Sequence, residues 1–221
     1  MKKRTIIIGD VHGCLDELNM LIDQINYNQS QDELFFTGDI INRGPDSKSV
    51  WLRVKELGGQ SVLGNHEYFL KQNILAGNSE YLNQFELEFD YIYSEFFQDV
   101  LSWPLMIETD QFILVHAGIQ PGHPISSQHP HVLTTIRTFN KETLEINQPD
   151  DPPWFEAYHD SKLLVFGHWA QLEGVTRTNV IGLDTGCVYG KKLSALVLPE
   201  RQIVSVPALK TYHLIKPPSD F

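Results

Sequence analysis

The sequence predicts an α/β fold, because its first forty residues read as two buried strands joined by a helix. Residues 4–8 and 33–37 are mostly apolar or β-branched and end just before glycine, which is typical of parallel strands buried on both faces. Between them, residues about 15–26 carry apolar side chains at helical spacing, namely Leu15, Leu18, Leu21, Ile22 and Ile25. A strand, a helix and a second strand in this order begin a parallel sheet covered by helices.

A second helix and a third strand come next. Arg43-Gly44-Pro45-Asp46 has the composition of a turn, and Ser47 is the predicted N-cap of the helix that follows. One face of that helix carries Val50, Trp51, Val54 and Leu57. Gly58-Gly59 ends it, and residues 60–63 are the predicted third strand.

Residues about 80–101 carry the strongest helical pattern of the chain. The apolar positions recur at steps of three and four and are Phe85, Phe89, Ile92, Tyr93, Phe96, Phe97 and Val100. We interpret this aromatic stripe as core packing rather than as a ligand-binding face. Pro104 ends the helix.

The second half of the chain predicts further strands around a long loop. The predicted strands are residues 111–115, 163–167, 179–184, 193–198 and 202–206. Gly190-Lys191-Lys192 suits a hairpin turn between two of them. From Gly118 to Pro153 the composition indicates loop, with one short strand near 133–139. Residues 1–221 are therefore predicted to form a single domain, with a core of residues 1–206 and a surface tail of residues 207–221.

Composition excludes some classes of protein. Hydrophobic residues make up 42% of the 221, enough for a folded core. The net charge of −11 argues against nonspecific nucleic-acid binding, but not against a phosphorylated substrate, since bound divalent metals would reverse the local field. No apolar run approaches the roughly 18 residues of a membrane span. Cys14 and Cys187 could be a disulfide, a metal pair or plain thiols, and reduced thiols in a cytoplasmic protein are the expectation.

Five short segments share one pattern: an apolar run ends on Asp, Asn or His, in four of them directly after glycine. They are Gly9-Asp10-Val11-His12-Gly13, Gly38-Asp39, Gly64-Asn65-His66-Glu67, Val115-His116-Ala117-Gly118 and Gly167-His168. One such segment alone is more often a turn. Five in order describe strand ends that bring ligands to one point. The predicted metal ligands are Asp10, His12, Asp39, Asn65, His116 and His168.

The ligand chemistry predicts the kind of centre. Oxygen and nitrogen ligands suit Mn²⁺, Fe or Zn²⁺ better than Ca²⁺, and Asp39 has two oxygens with which to bridge two ions. Two ions about 3.5–4 Å apart would hold a bridging hydroxide and lower its pKa. Such a hydroxide is the nucleophile for in-line attack on phosphorus, so the pattern predicts a binuclear hydrolase of phosphate esters or anhydrides.

Three further residues are candidates for substrate binding and catalysis. Arg43 follows Asp39 in the same loop, and Arg137 is the second arginine that could bind phosphate oxygens. His66 follows the predicted ligand Asn65 and is the candidate proton donor to the leaving oxygen. The remaining histidines lack this context and are expected to lie in loops, namely His123, His129, His131, His159 and His213.

These motifs resemble those of the calcineurin-like metallophosphoesterases, and within them the bacterial phosphoprotein-phosphatase-like branch. The resemblance implies a double β-sandwich flanked by helices, in four layers α/β/β/α. It assigns Asp10, His12 and Asp39 to one divalent ion, and Asp39, Asn65, His116 and His168 to the other. The expected metal is Mn, with Fe, Zn, Co or Ni as alternatives. The resemblance also supports the roles given to His66, Arg43 and Arg137.

The C-terminal motifs narrow the resemblance. Phe166-Gly167-His168-Trp169-Ala170-Gln171-Leu172-Glu173-Gly174 and Leu183-Asp184-Thr185-Gly186-Cys187 are similar to the signature of symmetrical diadenosine tetraphosphate hydrolases. The implied substrate is a dinucleoside polyphosphate, whose base could stack on Trp169, Tyr189 or Trp154. The alternatives are a Ser/Thr or Tyr phosphoprotein phosphatase, or a non-catalytic phosphate-binding protein, in which Asp39→Asn would leave function intact. The oligomeric state stays open.

Three departures from the family pattern bear on the substrate. Asn42 stands where related protein phosphatases carry an acid that orients the catalytic histidine. A neutral partner supports a protonated His66 less well, which favours anhydrides because their leaving group needs less acid. The segment between His116 and Arg137 is shorter than in typical diadenosine tetraphosphate hydrolases, which predicts a reduced cap. The His-x-His ending of many metallophosphoesterases is absent, since Trp169 and Ala170 follow the histidine.

Overall fold

Two five-stranded sheets make up the centre of the molecule in the computed structural model, which describes residues 4–214. The strands are β1 (Arg4–Ile8), β2 (Asp32–Phe36), β3 (Gln60–Ser61), β4 (Met106–Glu108), β5 (Phe112–Val115), β6 (Leu163–Phe166), β7 (Val175–Thr176), β8 (Val180–Gly182), β9 (Lys192–Leu198) and β10 (Gln202–Pro207). The helices are α1 (Leu15–Ile25), α2 (Ser47–Glu56), α3 (Asn65–Ala76), α4 (Ser79–Phe89), α5 (Tyr93–Ser102) and α6 (Pro130–Thr135).

Both sheets contain parallel and antiparallel pairs of strands. The first has the order β10-β9-β1-β2-β3, in which β1, β2 and β3 are parallel, β9 is antiparallel to β1, and β10 is antiparallel to β9. The second has the order β4-β5-β6-β8-β7, with β5, β6 and β8 parallel and both edge strands antiparallel. In each sheet, several parallel strands therefore have their carboxyl ends side by side.

The apolar runs in the sequence are continuous because the strands are covered on both faces. In β1, Ile7 packs between the two sheets against a cluster that includes Phe35 and Leu114. Its neighbours Ile6 and Ile8 point the other way and pack in the helix-facing core. Burying both faces removes any reason for an alternating pattern.

Helices cover the first sheet, and the segment between β5 and β6 covers the second. The helix-facing core contains buried side chains from α1, α2, α3, α4 and α5. On the second sheet, a cluster centred on Trp154 and Phe155 packs against β5 and β6 together with α6. This arrangement confirms the predicted α/β class and the double β-sandwich flanked by helices. In residues 4–214, no helix combines the length and apolarity needed to cross a membrane.

Two helical predictions need correction. The helix predicted over 80–101 is divided into α4 and α5 by a short 3₁₀ turn at Asp90–Ile92, where Asp90 has a positive φ of 52°. The aromatic stripe nevertheless packs in the core, with the rings of Phe89 and Phe96 stacked at 3.8 Å. Helix α3 was not predicted, because its buried residues include Glu67 and Asn73 beside only one apolar side chain, Leu70.

Smaller elements also differ from the prediction. The strand expected near 133–139 begins inside the helix α6, which starts with Pro130 at its first position and is capped by His129. Only Thr138 and Phe139 of the expected strand form isolated β-bridges, with Pro153 and Ile146. Residues 190–192 do not form a hairpin turn, since β8 and β9 belong to different sheets. Asp46, rather than Ser47, caps α2 by accepting a hydrogen bond from the Ser49 amide at 2.8 Å. The short strands β4 and β7 were not predicted.

The described part of the predicted tail contacts the core. Strand β10 extends to Pro207. The Leu209 amide and the Tyr212 hydroxyl then donate to Oε1 of Glu17 on α1, at 2.8 and 2.9 Å. Residues 208–214 are thus a strap over the N-terminal end of α1, and residues 215–221 of the predicted tail lie outside the described residues.

Candidate metal centre

The predicted ligands meet where the parallel strands end. Asp10 follows β1, Asp39 follows β2 and the first turn of α3 follows β3. From the second sheet, His116 follows β5 and His168 follows β6. Since the carboxyl ends of parallel strands share one edge, the two sheets present their polar residues to a common point.

One group of side chains converges around Nε2 of His116. This atom lies 3.1 Å from Oδ1 of Asn65 and 3.2 Å from Nδ1 of His168, and the latter two atoms are 3.0 Å apart. Oδ2 of Asp39 lies 3.5 Å from the same His116 nitrogen. Four predicted ligands therefore offer oxygen and nitrogen atoms to one small space.

A second group shares Asp39. Nε2 of His12 lies 3.5 Å from Oδ2 of Asp39, and the ligand atoms of His12, Asp39 and His66 all lie within 4.8 Å of one another. Arg43 donates to the same His12 nitrogen from Nη1, at 2.8 Å. Asp39 thus stands between the two groups, as its bridging assignment requires.

The tautomers of two histidines leave a lone pair on Nε2, the atom that would ligate a cation, although Arg43 donates to that of His12 in this structure. Nδ1 of His12 donates to the Ile41 carbonyl at 2.9 Å, and Nδ1 of His116 donates to the Thr37 carbonyl at 2.8 Å. A carbonyl only accepts, so each Nε2 carries a lone pair that faces the centre. Burial lowers the pKa of His12 to about 3 and also lowers the pKa of His116, which keeps both rings neutral. Neutral imidazoles with their second nitrogen held by a carbonyl are typical metal ligands.

Asp10 lies in the same centre, among other acids. Its oxygens accept from the Thr37 hydroxyl at 2.7 Å and from the His168 amide at 2.9 Å. Burial raises the pKa of Asp10 well above its usual range, and the nearby carboxylates of Asp184 and Asp39 raise it further. Asp10 also hydrogen-bonds with Asp184, whose pKa burial raises to about 6. Such a crowd of buried acids is the electrostatic environment that a divalent cation relieves.

Asp39 has the opposite electrostatic balance. Burial alone would raise its pKa, but attraction to the surrounding groups, among which Arg43 carries the permanent positive charge, holds that pKa below its usual range. The carboxylate is therefore charged and available to ligate. Its Oδ1 also accepts from the His66 amide at 3.1 Å, which fixes the plane of the group.

Backbone geometry positions several of these residues. His12, Asp39 and His168 have positive φ values of 46°, 49° and 66°, which place their side chains at sharp turns after the strands. Gly167 precedes the last of these, and a Cβ atom there would overlap Oδ1 of Asp10. The glycine of that motif therefore provides room for a carboxylate rather than flexibility.

His66 is paired with Asn42, as the sequence indicated. Nδ2 of Asn42 donates to Nδ1 of His66 at 2.9 Å, which places the ring proton on Nε2. That nitrogen is buried and has no hydrogen-bond partner among residues 4–214. Burial lowers the pKa of His66, which favours the neutral ring, and a ring nitrogen of His66 lies within 4.8 Å of the ligand atoms of His12 and Asp39.

The two arginines lie close together. Burial lowers the pKa of Arg137, and the positive charge of Arg43 lowers it further. Tyr189 adjoins them, with its ring centroid 5.8 Å from the Arg43 guanidinium carbon. The half-buried Trp169 instead packs toward Phe155, at 6.5 Å between ring centroids.

Trp154 is excluded as a stacking surface for a base. Its side chain is fully buried, and its indole N–H donates to the Ala117 carbonyl at 3.1 Å. The ring also packs against Gly118, where a Cβ atom would collide with it. Trp154 is a core residue of the second sheet.

Sequence reasoning assigned no role to two buried acids of the centre. Glu67 accepts from four backbone amides, those of Asp39, Ile40, Ile41 and Gly64, at 2.9 to 3.3 Å. It therefore holds the Asp39 loop against α3. Asp184 follows β8 as the other polar residues follow their strands, a signal that could have added it to the predicted set.

The chain is similar to known proteins over nearly its whole length. The model of the calcineurin-like phosphoesterase family matches residues 3–198. A symmetrical bis(5'-nucleosyl)-tetraphosphatase of Vibrio campbellii is 29% identical over 267 aligned positions, covering 93% of this chain and 99% of the relative. The corresponding protein of Erwinia tasmaniensis is 30% identical over 274 positions, covering 95% and 99%. Both alignments exceed the 221 residues of this chain, so these relatives carry insertions that it lacks.

A solved structure agrees with the fold and the chain length. The crystal structure of a candidate diadenosine tetraphosphatase superposes with a TM-score of 0.84 at 32% identity, covering 94% of this chain and 95% of the other. The family implies a dinuclear site for divalent metals, and the converging oxygen and nitrogen atoms around Asp39 fit it. Fold, polar centre and a family match spanning both sheets lead to one conclusion: this chain belongs to the calcineurin-like phosphoesterases.

Proposed function

We propose that this enzyme hydrolyses diadenosine tetraphosphate symmetrically, giving two molecules of ADP. The observation that carries the proposal is similarity along 93–95% of the chain to proteins named for this specificity. We also propose a cytoplasmic location, because two cysteines are too few for a disulfide-rich secreted scaffold.

The proposed metal ligands divide into two sets that share Asp39. Asp10, His12 and Asp39 would hold one divalent ion, and Asp39, Asn65, His116 and His168 the other. We expect Mn²⁺ in both positions, since the donors are oxygen and nitrogen. When bound, such ions supply a nucleophile at neutral pH and stabilise charge on the phosphoryl group.

Arg43 and Arg137 are the proposed phosphate ligands. Two guanidinium groups that repel each other, Arg43 exposed and Arg137 partly buried, are stabilised by an anion placed between them. A tetraphosphate chain supplies such charge, and bidentate contacts would align one phosphorus for in-line attack. The partly buried Tyr189 ring beside Arg43 would extend this surface toward a ribose or base, and Trp169 is the second proposed base contact.

His66 is the proposed donor to the leaving oxygen. Its buried Nε2–H has no hydrogen-bond partner among residues 4–214, while Asn42 donates to Nδ1. A neutral imidazole donates a hydrogen bond more readily than a whole proton. Such a donor suffices for a leaving nucleoside diphosphate, which departs as a stable anion, but not for an alkoxide. The contact between Asn42 and His66 therefore supports an anhydride substrate over a phosphoserine.

The test is product analysis. Purified enzyme with Mn²⁺ should convert diadenosine tetraphosphate to ADP alone, resolved by anion-exchange chromatography. In ¹⁸O-labelled water, half of the ADP should carry one label, because one water is added per cleavage. AMP together with ATP would contradict the symmetrical mode. Lack of turnover beside rapid dephosphorylation of phosphopeptides would reject the proposal and favour the protein phosphatase alternative.

A further inference from the structure

A second group of potential metal ligands lies next to the loop that carries His12. The Sγ atoms of Cys14 and Cys187 and a carboxylate oxygen of Glu17 all lie within 4.8 Å of one another. These are the only two cysteines of the sequence, and they come from positions 173 residues apart. The fold brings them together at the N-terminal end of α1.

The three side chains are sealed from solvent. Cys14 and Glu17 are 0% exposed and Cys187 is 1% exposed. A glutamate is rarely buried so completely unless it is paired. Among the described residues, none of the ion pairs involves Glu17.

The two oxygens of Glu17 have different surroundings. Oε1 accepts from the Leu209 amide and the Tyr212 hydroxyl. Oε2 is equally buried but has no hydrogen-bond partner within residues 4–214. A buried carboxylate oxygen without a donor is unfavourable, so this atom points to a missing positive partner.

We propose that Cys14, Cys187 and Glu17 form a structural site for a soft divalent cation of the Zn²⁺ class, separate from the catalytic centre. Binding would release two thiol protons to solvent and give two thiolates and one carboxylate around the ion. Thiolates select Zn²⁺ over Mn²⁺, whereas the catalytic centre offers only oxygen and nitrogen. A disulfide would join the two sulfurs but leave Oε2 of Glu17 without a partner, so the cation accounts for more of the geometry.

The site would connect three parts of the molecule that surround the catalytic centre. Cys14 follows His12 by two residues, and its thiol contacts the His12 carbonyl oxygen, with 3.6 Å between sulfur and oxygen. Cys187 lies in the segment that carries Asp184 and Tyr189. Glu17 holds the strap of residues 208–214. An ion here would stabilise the loop that carries His12 without taking part in the reaction.

Cobalt substitution tests the proposal independently of activity. The full-length protein is reduced, freed of metal and titrated with Co²⁺ under anaerobic conditions. A thiolate bound to Co²⁺ gives an intense near-ultraviolet charge-transfer absorption, which oxygen and nitrogen ligands do not give. We expect this absorption to reach the amplitude of one thiolate site per chain once Co²⁺ has also filled the catalytic positions, and to be lost when Zn²⁺ displaces the bound Co²⁺.

Variants assign the signal to the proposed ligands. Cys187→Ser should abolish the absorption, and Glu17→Gln should weaken Co²⁺ binding about tenfold or more. Tyr212→Phe is the matched control, because it alters the same cluster without removing a ligand and should keep the absorption. Asp39→Asn should also keep it while impairing the catalytic centre.

Three results would overturn the proposal. One is the absence of charge-transfer absorption in the reduced wild-type protein, which decides the question even if a variant fails to fold. Another is an absorption that persists in Cys187→Ser. The third is a disulfide between Cys14 and Cys187, detected by mass spectrometry in protein purified without oxidant.

Discussion

Replacing Asn42 with aspartate should change which leaving groups the enzyme tolerates. In the present chain, the Asn42 amide donates to Nδ1 of His66 and keeps the ring neutral. Aspartate has the same shape but only accepts, so Nδ1 would have to carry a proton. With Nε2 also protonated, His66 would become an imidazolium and a true acid.

The expected size of the effect follows from the contact distance. Nδ2 of Asn42 and Nδ1 of His66 are 2.9 Å apart, so an aspartate at this position would lie close to the ring. Opposite charges about 4 Å apart attract by about 4 kcal/mol at an effective dielectric constant of about 20. Burial lowers the pKa of His66 and so offsets part of this attraction. We therefore expect the pKa of His66 to rise by about 1–2 units, or about 1.4–2.7 kcal/mol. The imidazolium form at neutral pH should increase about 10- to 100-fold.

The assay compares kcat/KM for two classes of substrate. Alkyl phosphate monoesters need an acid at the leaving oxygen. For p-nitrophenyl phosphate and diadenosine tetraphosphate, whose leaving groups are stable anions, this need is much smaller. In Asn42→Asp, the ratio of alkyl ester to p-nitrophenyl ester hydrolysis should rise about tenfold or more. Asn42→Ala is the control that removes the hydrogen bond without adding charge, and this ratio should not rise in it.

One outcome would refute the reasoning. If Asn42→Asp and Asn42→Ala change both classes of substrate by the same factor, the residue affects only the position of His66. The preference for anhydrides would then have a different origin, and the pairing would be structural.

Three further predictions concern the centre and the core. Asp39→Asn should lose bound metal and activity together, while the fold is retained. Metal analysis, turnover and circular dichroism measure these three properties. Retained activity would contradict the role of Asp39 as a ligand shared by both ions. Phe89→Ala should lower the free energy of unfolding in urea by about 3–5 kcal/mol, since the ring is fully buried, whereas Tyr91→Ala at an exposed position should change it by less than about 0.5 kcal/mol. Burial opposes ionisation of Asp32, but its hydrogen bonds with Arg4 hold its pKa below the usual range. The stabilisation is therefore present above about pH 4 and lost as the pH falls further. Asp32→Asn should lower the free energy of unfolding by about 1 kcal/mol at pH 7, since solvent screens the partly exposed arginine, and should hardly change it near pH 2. An equal loss at both pH values would disprove the electrostatic origin.

The strands of the sandwich could be predicted from the sequence because their signal is local. Strands β1 and β5 are short apolar runs ended by polar residues, and their burial between two layers leaves no ambiguity about which face is apolar. The strand ends then indicated where the polar residues would meet. The predicted cluster of Asn65, His116 and His168 lies within hydrogen-bonding distance in the structure.

Helix α3 could not be predicted because its residues serve the centre rather than the core. It begins with Asn65 and His66, and its first buried side chain is Glu67, which binds the Asp39 loop. Without an apolar stripe, its helical period is invisible in the sequence. The break after Phe89 is equally hidden, since the apolar stripe continues across it.

The roles of the acids that surround the predicted ligands depend on contacts between distant segments of the chain. The roles of Glu67 and Asp184 come from amides and carboxylates that only the folded chain brings near. Both residues stood in motifs identified from the sequence, but spacing alone does not say whether an acid ligates, orients a loop or shares a proton. The first part of the segment at 133–139 was misread as a strand because Val132, Leu133 and Ile136 are apolar at a spacing that a helix and a strand both allow.

The left-handed turns at His12, Asp39 and His168 have a kinetic consequence. Residues with side chains leave this backbone region unless the surrounding hydrogen bonds hold them there. The donor atoms are thus arranged in advance, and releasing a captured ion requires the turns to open together. Metal should therefore escape to a chelator at a rate set by opening of these turns rather than by the chelator concentration, and the enzyme should keep its ions through prolonged dialysis.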